Sequence, residues 1–478
     1  MNEQVLSQTV LQSYPAYDCL EIHNALDTVL AAFHQKIVVL DDDPTGIQTV
    51  HDVSVYTNWS CEMMRFAFEQ PDSMFFILTN SRAFSAEKSE QIHREIAHNL
   101  VAASHETGKE FLIISRSDST LRGHYPLETE TLREVLETEA SQKIDGEILL
   151  PFFREGGRYT LANVHYVAMD NVLVPAGQTE FARDKTFGYQ ASNLKEWIAE
   201  KTKGAYPAQS VLHIGLDELR SKNFLQIEEK LMCMRDFSKL VVNAIDTLDV
   251  EVFAIALVAA LSKGKHYLFR SAAALPKCLG GVSDKPLLTR EELADPDNPN
   301  GGLIMIGSHV QKTTIQLAYL RKANFIEFIE LNQHLVLDAL QWKAELKRVS
   351  HKAEHCIAEG KTVAVFTRRE RFDLNTGNKE DELRLATQIS DALTGIVAHM
   401  PVRPSFIIAK GGITSSDVGT KSLKVERALV LGQILPGVPV WRTGSESLFP
   451  KLPYVIFPGN VGGEDALYQA VMKMQKEE

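Results

Sequence analysis

Short apolar runs alternate with longer amphipathic stretches along the first half of the chain. Ile37–Leu40, Phe75–Thr79, Phe111–Ser115, Ile148–Phe153, Val211–Ile214, Leu240–Ile245 and Tyr267–Phe269 read as strands. Helical spacing fills the intervals, as in residues 85–103 and 126–139. Buried strands separated by amphipathic helices are the pattern of a parallel sheet with crossover helices. Upstream, Leu20, Ile22, Leu26, Val29, Leu30 and Phe33 recur at helical spacing. Residues 1–35 are therefore predicted to form a helical extension on the outside of the fold.

Between Gly280 and Gly302 the pattern breaks. Lys285-Pro286, the acidic Arg290-Glu-Glu-Leu-Ala-Asp295 and Pro296-Asp-Asn-Pro-Asn-Gly-Gly302 read as linker. A second α/β series follows, with strands predicted near 303–306, 325–331, 362–367, 405–409, 438–441 and 454–457. Long helices are predicted near 334–359 and 381–399. The predicted fold class is α/β, with two α/β domains of mostly parallel sheets, residues 1–295 and 296–478.

Length agrees with this division, since 478 residues exceed one ordinary core. A net charge of −12 argues against nonspecific nucleic-acid binding, which needs a basic face. Cys19, Cys61, Cys233, Cys278 and Cys356 are scattered without a Cys-x-x-Cys pair, which suits a reducing cytoplasm and argues against a disulfide framework or a zinc site. No signal-peptide pattern opens the chain. The longest apolar run, Phe253–Leu261, falls short of the roughly 20 residues that span a bilayer. The expectation is a cytoplasmic protein with no membrane and no nucleic-acid partner.

The chemistry concentrates where strands end. Lys36-Ile-Val-Val-Leu40 runs into Asp41-Asp42-Asp43-Pro44-Thr45-Gly46. Carboxylates at the end of a buried strand are costly unless paired or used. Ligands of α/β sheets bind outside the carboxyl ends of the strands. Other strand ends carry Thr79-Asn-Ser-Arg82, Ser115-Arg-Ser-Asp-Ser-Thr-Leu-Arg-Gly123, Arg154-Glu-Gly-Gly-Arg158 and Arg270-Ser271. Taken singly, each arginine is an ordinary surface residue. If the ends share one edge, Arg82, Arg116, Arg122, Arg158 and Arg270 converge opposite the acids, and a guanidinium fork suits a small carboxylate or phosphate.

In the second half, three glycine turns follow predicted strands: Gly307-Ser308, Lys410-Gly-Gly-Ile-Thr414 and Pro458-Gly-Asn-Val-Gly-Gly463. Together they suggest a nucleotide pocket made of backbone amides and hydroxyls. No Walker A, dinucleotide or protein-kinase motif is present. His51, His124, His165 and His309 lack metal-ligand spacing, so no protein-ligated metal is expected.

These residues resemble the four-carbon acid sugar kinase family over nearly the whole chain beyond residue 35. Asp42-Asp-Pro-Thr-Gly46, Ser81-Arg82, Asp118-Ser-Thr-Leu-Arg-Gly123, Pro151-Phe-Phe with Gly157-Arg-Tyr-Thr160, Gly307-Ser308 with Thr313-Thr-Ile-Gln316, Gly411-Gly-Ile-Thr-Ser415 and Gly459-Asn-Val-Gly462 carry the likeness. Asp118–Gly123 is its most specific part. Pro44, Val310 and Pro458 depart from the commoner form. The resemblance implies an N-terminal sugar-acid domain, a C-terminal ATP domain and a kinase of carbohydrate metabolism. Its substrate would be threonate, erythronate or a branched or keto sugar acid such as 3-oxo-isoapionate, with Mg²⁺ accompanying ATP; a homodimer is compatible with it.

In that frame Asp43 or Asp42 is the expected base, and the two are not ranked by sequence. Arg82, Arg122, Arg158 and Arg270 would hold the substrate carboxylate, and Ser117 and Asp118 its hydroxyls. Ser308, Gly411, Gly412, Ile413, Thr414, Gly459 and Asn460 would seat ATP. One rival is a haloacid-dehalogenase-like phosphatase, since Asp41-x-Asp43-x-Thr45 fits its motif, with Asp41 as nucleophile and Asp43 as acid/base. Another is a non-catalytic sensor of sugar acid and nucleotide.

Overall fold

A strand buried on both faces belongs in the middle of a parallel sheet, and near-continuous apolar character is its sequence mark. Lys36–Asp41 meets that description along its whole length. The computed structural model describes residues 3–295, 297–370, 372, 379–459 and 461–475. Two compact units divide the chain: residues 1–49 with 58–284, and residues 50–57 with 285–478.

Up to residue 284 the strands are β1 (Leu6–Ser7), β2 (Lys36–Asp41), β3 (Val53–Tyr56), β4 (Met74–Leu78), β5 (Phe111–Arg116), β6 (Gly146–Leu150), β7 (Arg158–Leu161), β8 (Val164–Met169), β9 (Val172–Pro175), β10 (Leu212–Ile214), β11 (Ser238–Val242) and β12 (Tyr267–Ser271). The first unit's main sheet runs β10-β11-β6-β12-β5-β2-β4 with every pair parallel. All its carboxyl ends therefore share one edge, as the strand-end pattern anticipates. Helices Ala86–Thr107, Leu127–Glu139 and Thr247–Ser262 are among the crossovers. The expected N-terminal helix is Cys19–Ala31, which buries Ile22 and Leu26.

A second, antiparallel sheet, β1-β9-β8-β7, is not legible as strands in the sequence. Its β7–β8 turn is Ala162-Asn163, both at positive φ (48° and 67°). Two-residue hairpins of this kind need that backbone, which Asn accepts and Ala signals poorly. The sheet matters because Arg158 opens β7.

The second unit comprises β3, β13 (Leu303–Ile306), β14 (Ile326–Leu331), β15 (Thr362–Thr367), β16 (Ile407–Lys410), β17 (Arg427–Leu435), β18 (Val438–Thr443) and β19 (Pro453–Phe457). Their order is β3-β17-β18-β19-β16-β13-β15-β14. The pairs from β19 to β14 are parallel, and those from β3 to β19 antiparallel. Helices Ala339–Ala358 and Lys379–Ala398 match the two long helices expected. The stretch from Lys285, whose composition reads as linker, packs into this unit. Leu288 and Leu293 are buried in its core, and the Leu288 N–H donates to the Gln433 carbonyl (2.8 Å). No helix among the described residues is long and apolar enough to cross a membrane.

Candidate active site

β2 lies between β5 and β4, so its terminal carboxylates meet the segments that leave those two strands. Asp41 is buried, and the Arg116 guanidinium at the end of β5 reaches its Oδ1 (3.3 Å). Arg116 also stands 4.0 Å from Asp42 Oδ1. Burial pushes the Asp41 carboxyl up to about 7, with Arg116 opposing and Asp42 adding to the rise. Asp41 is thus held inward against Arg116 and the Gly46 backbone. That placement weighs against a phosphatase nucleophile at this position.

Asp42 is buried too. Its Oδ2 accepts the Asp118 N–H (3.2 Å), while Oδ1 has no hydrogen-bond partner. Burial drives its carboxyl up to about 6 against the opposing charges of Arg82 and Arg116. Asp43 differs. Burial would raise it, but the Arg82 charge and hydrogen bonds from Thr45 and Arg82 outweigh burial and hold it below the usual range. Arg82 lies 2.5 Å from Asp43 Oδ2 and 3.3 Å from Asp118 Oδ1.

From Asp118 the lattice continues outward. Arg122 Nε donates to Asp118 Oδ2 (2.7 Å), and its Nη1 stands 3.8 Å from Asp184. Burial would raise the Asp118 carboxyl; Arg82 and Arg122 overcome this and leave it well below the carboxylate range. The Phe181 ring is shared by two guanidinium groups, Arg122 at 5.2 Å and Arg158 at 5.5 Å from its centroid. Arg158 Nε is buried without a hydrogen-bond partner, as is Ser117 Oγ.

Arg82, Arg122, Arg158, Ser117, Asp118, Asp42 and Asp43 therefore belong to one edge, joined by ion pairs, a shared ring and adjacency in the chain. Arg270 belongs beneath it. Its Nη1 reaches Glu128 Oε2 (2.7 Å) and its Nη2 donates to the Arg122 carbonyl (2.9 Å). Gly123, at φ +122°, lets that happen, since a Cβ there would fall 2.8 Å from Arg270 Nη2. Glu128 escapes the sequence reading because a first-turn acid is ordinarily a solvated helix-end charge. Here it is buried and accepts from Ser81 Oγ (2.6 Å) as well.

In the second unit the three glycine turns follow β13, β16 and β19, which are adjacent parallel strands. Ser308 stands at the centre. A Cβ on Gly411, which has φ +118°, would fall 2.9 Å from Ser308 Cβ, and one on Gly459 3.6 Å from Ser308 Oγ. Thr313 Oγ1 lies 3.4 Å from both Ser308 Oγ and the Gly459 carbonyl. Gln316 Nε2 donates to the Val461 and Gly463 carbonyls (3.0 and 2.8 Å), tying the third turn to helix Gln311–Leu320. Gly412, Ile413 and Thr414 open the short helix after β16. Ile413 is exposed and Thr414 buried. Asn460 lies outside the described residues. Backbone crowded this closely around one serine, with glycine where a side chain would intrude, fits a phosphate-bearing ligand. Two cations that sequence reading passed over, Lys410 and Arg369, also adjoin these turns. Among the described residues no cluster of three or more His, Cys, Asp or Glu side chains is arranged to hold a metal ion.

A model of a sugar-binding N-terminal domain matches residues 37–279, and one of a nucleotide-binding C-terminal domain matches residues 303–467. No curated protein matches the chain. Among solved structures, a Salmonella typhimurium LT2 protein provisionally named a tRNA synthase is 15% identical, with 93% of this chain and 100% of that one covered at a TM-score of 0.65. A Haemophilus influenzae protein from a family of unknown function is 17% identical, with 91% and 100% covered at 0.61. At such identities the likeness shows the fold alone.

Proposed function

The chain belongs to the four-carbon acid sugar kinase family, and from that premise we propose that it transfers the γ-phosphoryl group of ATP to a hydroxyl of a small sugar acid. Threonate and erythronate are the first candidates, and a branched or keto sugar acid is the alternative. ATP enters as its Mg²⁺ complex, a substrate rather than a resident cofactor.

One observation carries the reading: the unpartnered buried atoms Asp42 Oδ1, Ser117 Oγ and Arg158 Nε lie along an edge that also presents Arg82 and Arg122. Buried polar groups rarely stay unpaired, and a polyhydroxy acid offers the matching donors and acceptors. Arg158, Arg122 and Arg82 would take the carboxylate. Ser117 and Asp118 would take hydroxyls, and Arg270 would support Arg122 from below.

Phosphoryl transfer asks a protein mainly for positioning and charge stabilisation, with a base for the acceptor proton. Of the two candidates, Asp43 has oxygens already engaged by Thr45 and Arg82, whereas Asp42 keeps one free. We assign Asp42 as the proton acceptor and Asp43 as the group that positions Arg82. In the second unit, Ser308 and the turns at Gly411–Thr414 and Gly459–Asn460 would seat the nucleotide phosphates.

The test is ADP formation from ATP across a panel of four- to six-carbon sugar acids, with a phosphate-ester panel alongside. Acid-dependent ADP release is the expected result. Phosphate release from esters without ATP would favour the phosphatase reading, and nucleotide binding with no turnover on any acid would favour the sensor.

A further inference from the structure

Lys410, the last residue of β16, is fully buried. Its ammonium donates to the Pro458 carbonyl (2.6 Å) and approaches the Gly459 carbonyl (3.5 Å), and it stands 4.0 Å from the centre of the Phe457 ring. No carboxylate pairs with it among the described residues. A buried ammonium held only by neutral carbonyls keeps most of its desolvation cost uncompensated.

Among the described residues, the groups around Lys410 offer it no paired carboxylate. From helix Gln311–Leu320 comes Lys312, whose charge disfavours a second ammonium nearby. After β15 comes Arg369, whose Nη2 donates to the Ser308 carbonyl (2.7 Å) and whose Nη1 is buried without a partner. After β13, His309 is engaged with Thr367 Oγ1 (3.2 Å). The helix after β16 offers the hydroxyls of Thr414 and Ser415, and its terminal Asp417 is engaged by Ser390 and Lys421. Among the described residues neither Lys410 nor Arg369 is paired with a carboxylate, and Asp465, beside the third turn, is engaged by Gln469 (2.6 Å).

We propose that Lys410 carries the counter-charge for the nucleotide's phosphates and takes up a proton from solvent when they bind. This deepens the nucleotide assignment of the second unit and rests on it. The supporting electrostatics agree: burial, followed by Lys312, pushes the Lys410 ammonium down to about 7. A substantial fraction of Lys410 is then neutral at pH 8 in the free protein. A bound polyphosphate would favour the charged form. Lys410 thereby takes over the role that a Walker lysine plays elsewhere, but from below the turn.

The test is calorimetric titration of the full-length protein with the magnesium complex of ATP at pH 8, without acceptor, in buffers of different ionisation enthalpy. The dependence on buffer should report about 0.5–0.9 protons taken up per nucleotide. Lys410→Met should lose that uptake and bind at least tenfold more weakly. Lys410→Arg, which stays charged, should bind with no proton uptake. Clear binding by the wild-type protein with zero uptake, or uptake that persists in Lys410→Met, overturns the inference and leaves the nucleotide site standing. No affinity for MgATP in the wild-type protein overturns the nucleotide assignment and the inference with it.

Discussion

Gly46 lies so close to Asp41 that a Cβ built on it would fall 2.0 Å from either carboxylate oxygen. The turn after β2 can close over the buried acid only because no side chain is there. Gly46→Ala must therefore push Asp41 away from Arg116, or open the turn. Forcing an extra methyl into a packed site costs about 1–3 kcal/mol, and that loss is expected in denaturant unfolding. A cost below about 1 kcal/mol would mean that Asp41 swings aside freely.

Asp42 and Asp43 are separable by pH. A base must be ionised, so activity falls as pH drops through its pKa. For Asp42, raised to about 6, kcat/KM should fall below about pH 6. Asp43 is held below the usual carboxylate range and would give no such limb. Asp42→Asn should lower kcat by roughly 10²–10⁴ and abolish the limb while MgATP affinity is kept. Asp43→Asn should also slow turnover, through Arg82, with the limb retained. A limb that survives in Asp42→Asn and disappears in Asp43→Asn would reverse the assignment.

Much of this arrangement is legible in the chain. Apolar runs ending in Asp43, Arg82, Asp118 and Arg122 mark the edge, because parallel neighbours must end on the same side. The three glycine turns mark the second unit for the same reason. What is not legible depends on depth. Nothing in Pro126-Leu-Glu-Thr distinguishes a buried Glu128 from a solvated first-turn acid, and nothing in Ile407-Ile-Ala-Lys410 says that the lysine points inward. The β7–β8 hairpin is hidden by Ala162 at a positive φ, so the sequence shows Arg158 as a loop residue rather than the start of a strand.

Gly411 offers a test of the nucleotide unit alone. Its φ of +118° is one that L side chains rarely adopt, and a Cβ would meet Ser308 at 2.9 Å. Gly411→Ala adds strain on the order of 1–3 kcal/mol at the turn and displaces Ser308. MgATP affinity should fall about tenfold or more by calorimetry, while sugar-acid affinity stays at the wild-type value. Unchanged nucleotide affinity would remove this turn from the site.

His165 sets a pH dependence that the site does not share. It is fully buried on β8, where its Nε2–H donates to the Ser119 carbonyl (2.8 Å) and its Nδ1 lies 3.0 Å from Thr160 Oγ1. Burial pushes its pKa down to about 4, with the Ser119 hydrogen bond opposing and Arg158 reinforcing the shift. The unfolded chain therefore binds a proton here that the folded chain refuses. The stabilising contribution is complete above about pH 6.5 and is lost as pH falls toward 4, a change on the order of 3 kcal/mol. Asp41 and Asp42 work in the opposite sense: their raised pKa values favour the folded protein at low pH, and that contribution fades as pH rises through about 6–7. Both carboxyl contributions persist in a His165 variant, so they cancel when it is compared with the wild-type chain. His165→Gln, which keeps a donor for Ser119, should be less stable than wild type at pH 7 and close the gap, or reverse it, at pH 4.5. Unfolding free energies measured in urea at the two pH values decide the matter, and a constant difference between the proteins would show that His165 does not titrate on unfolding.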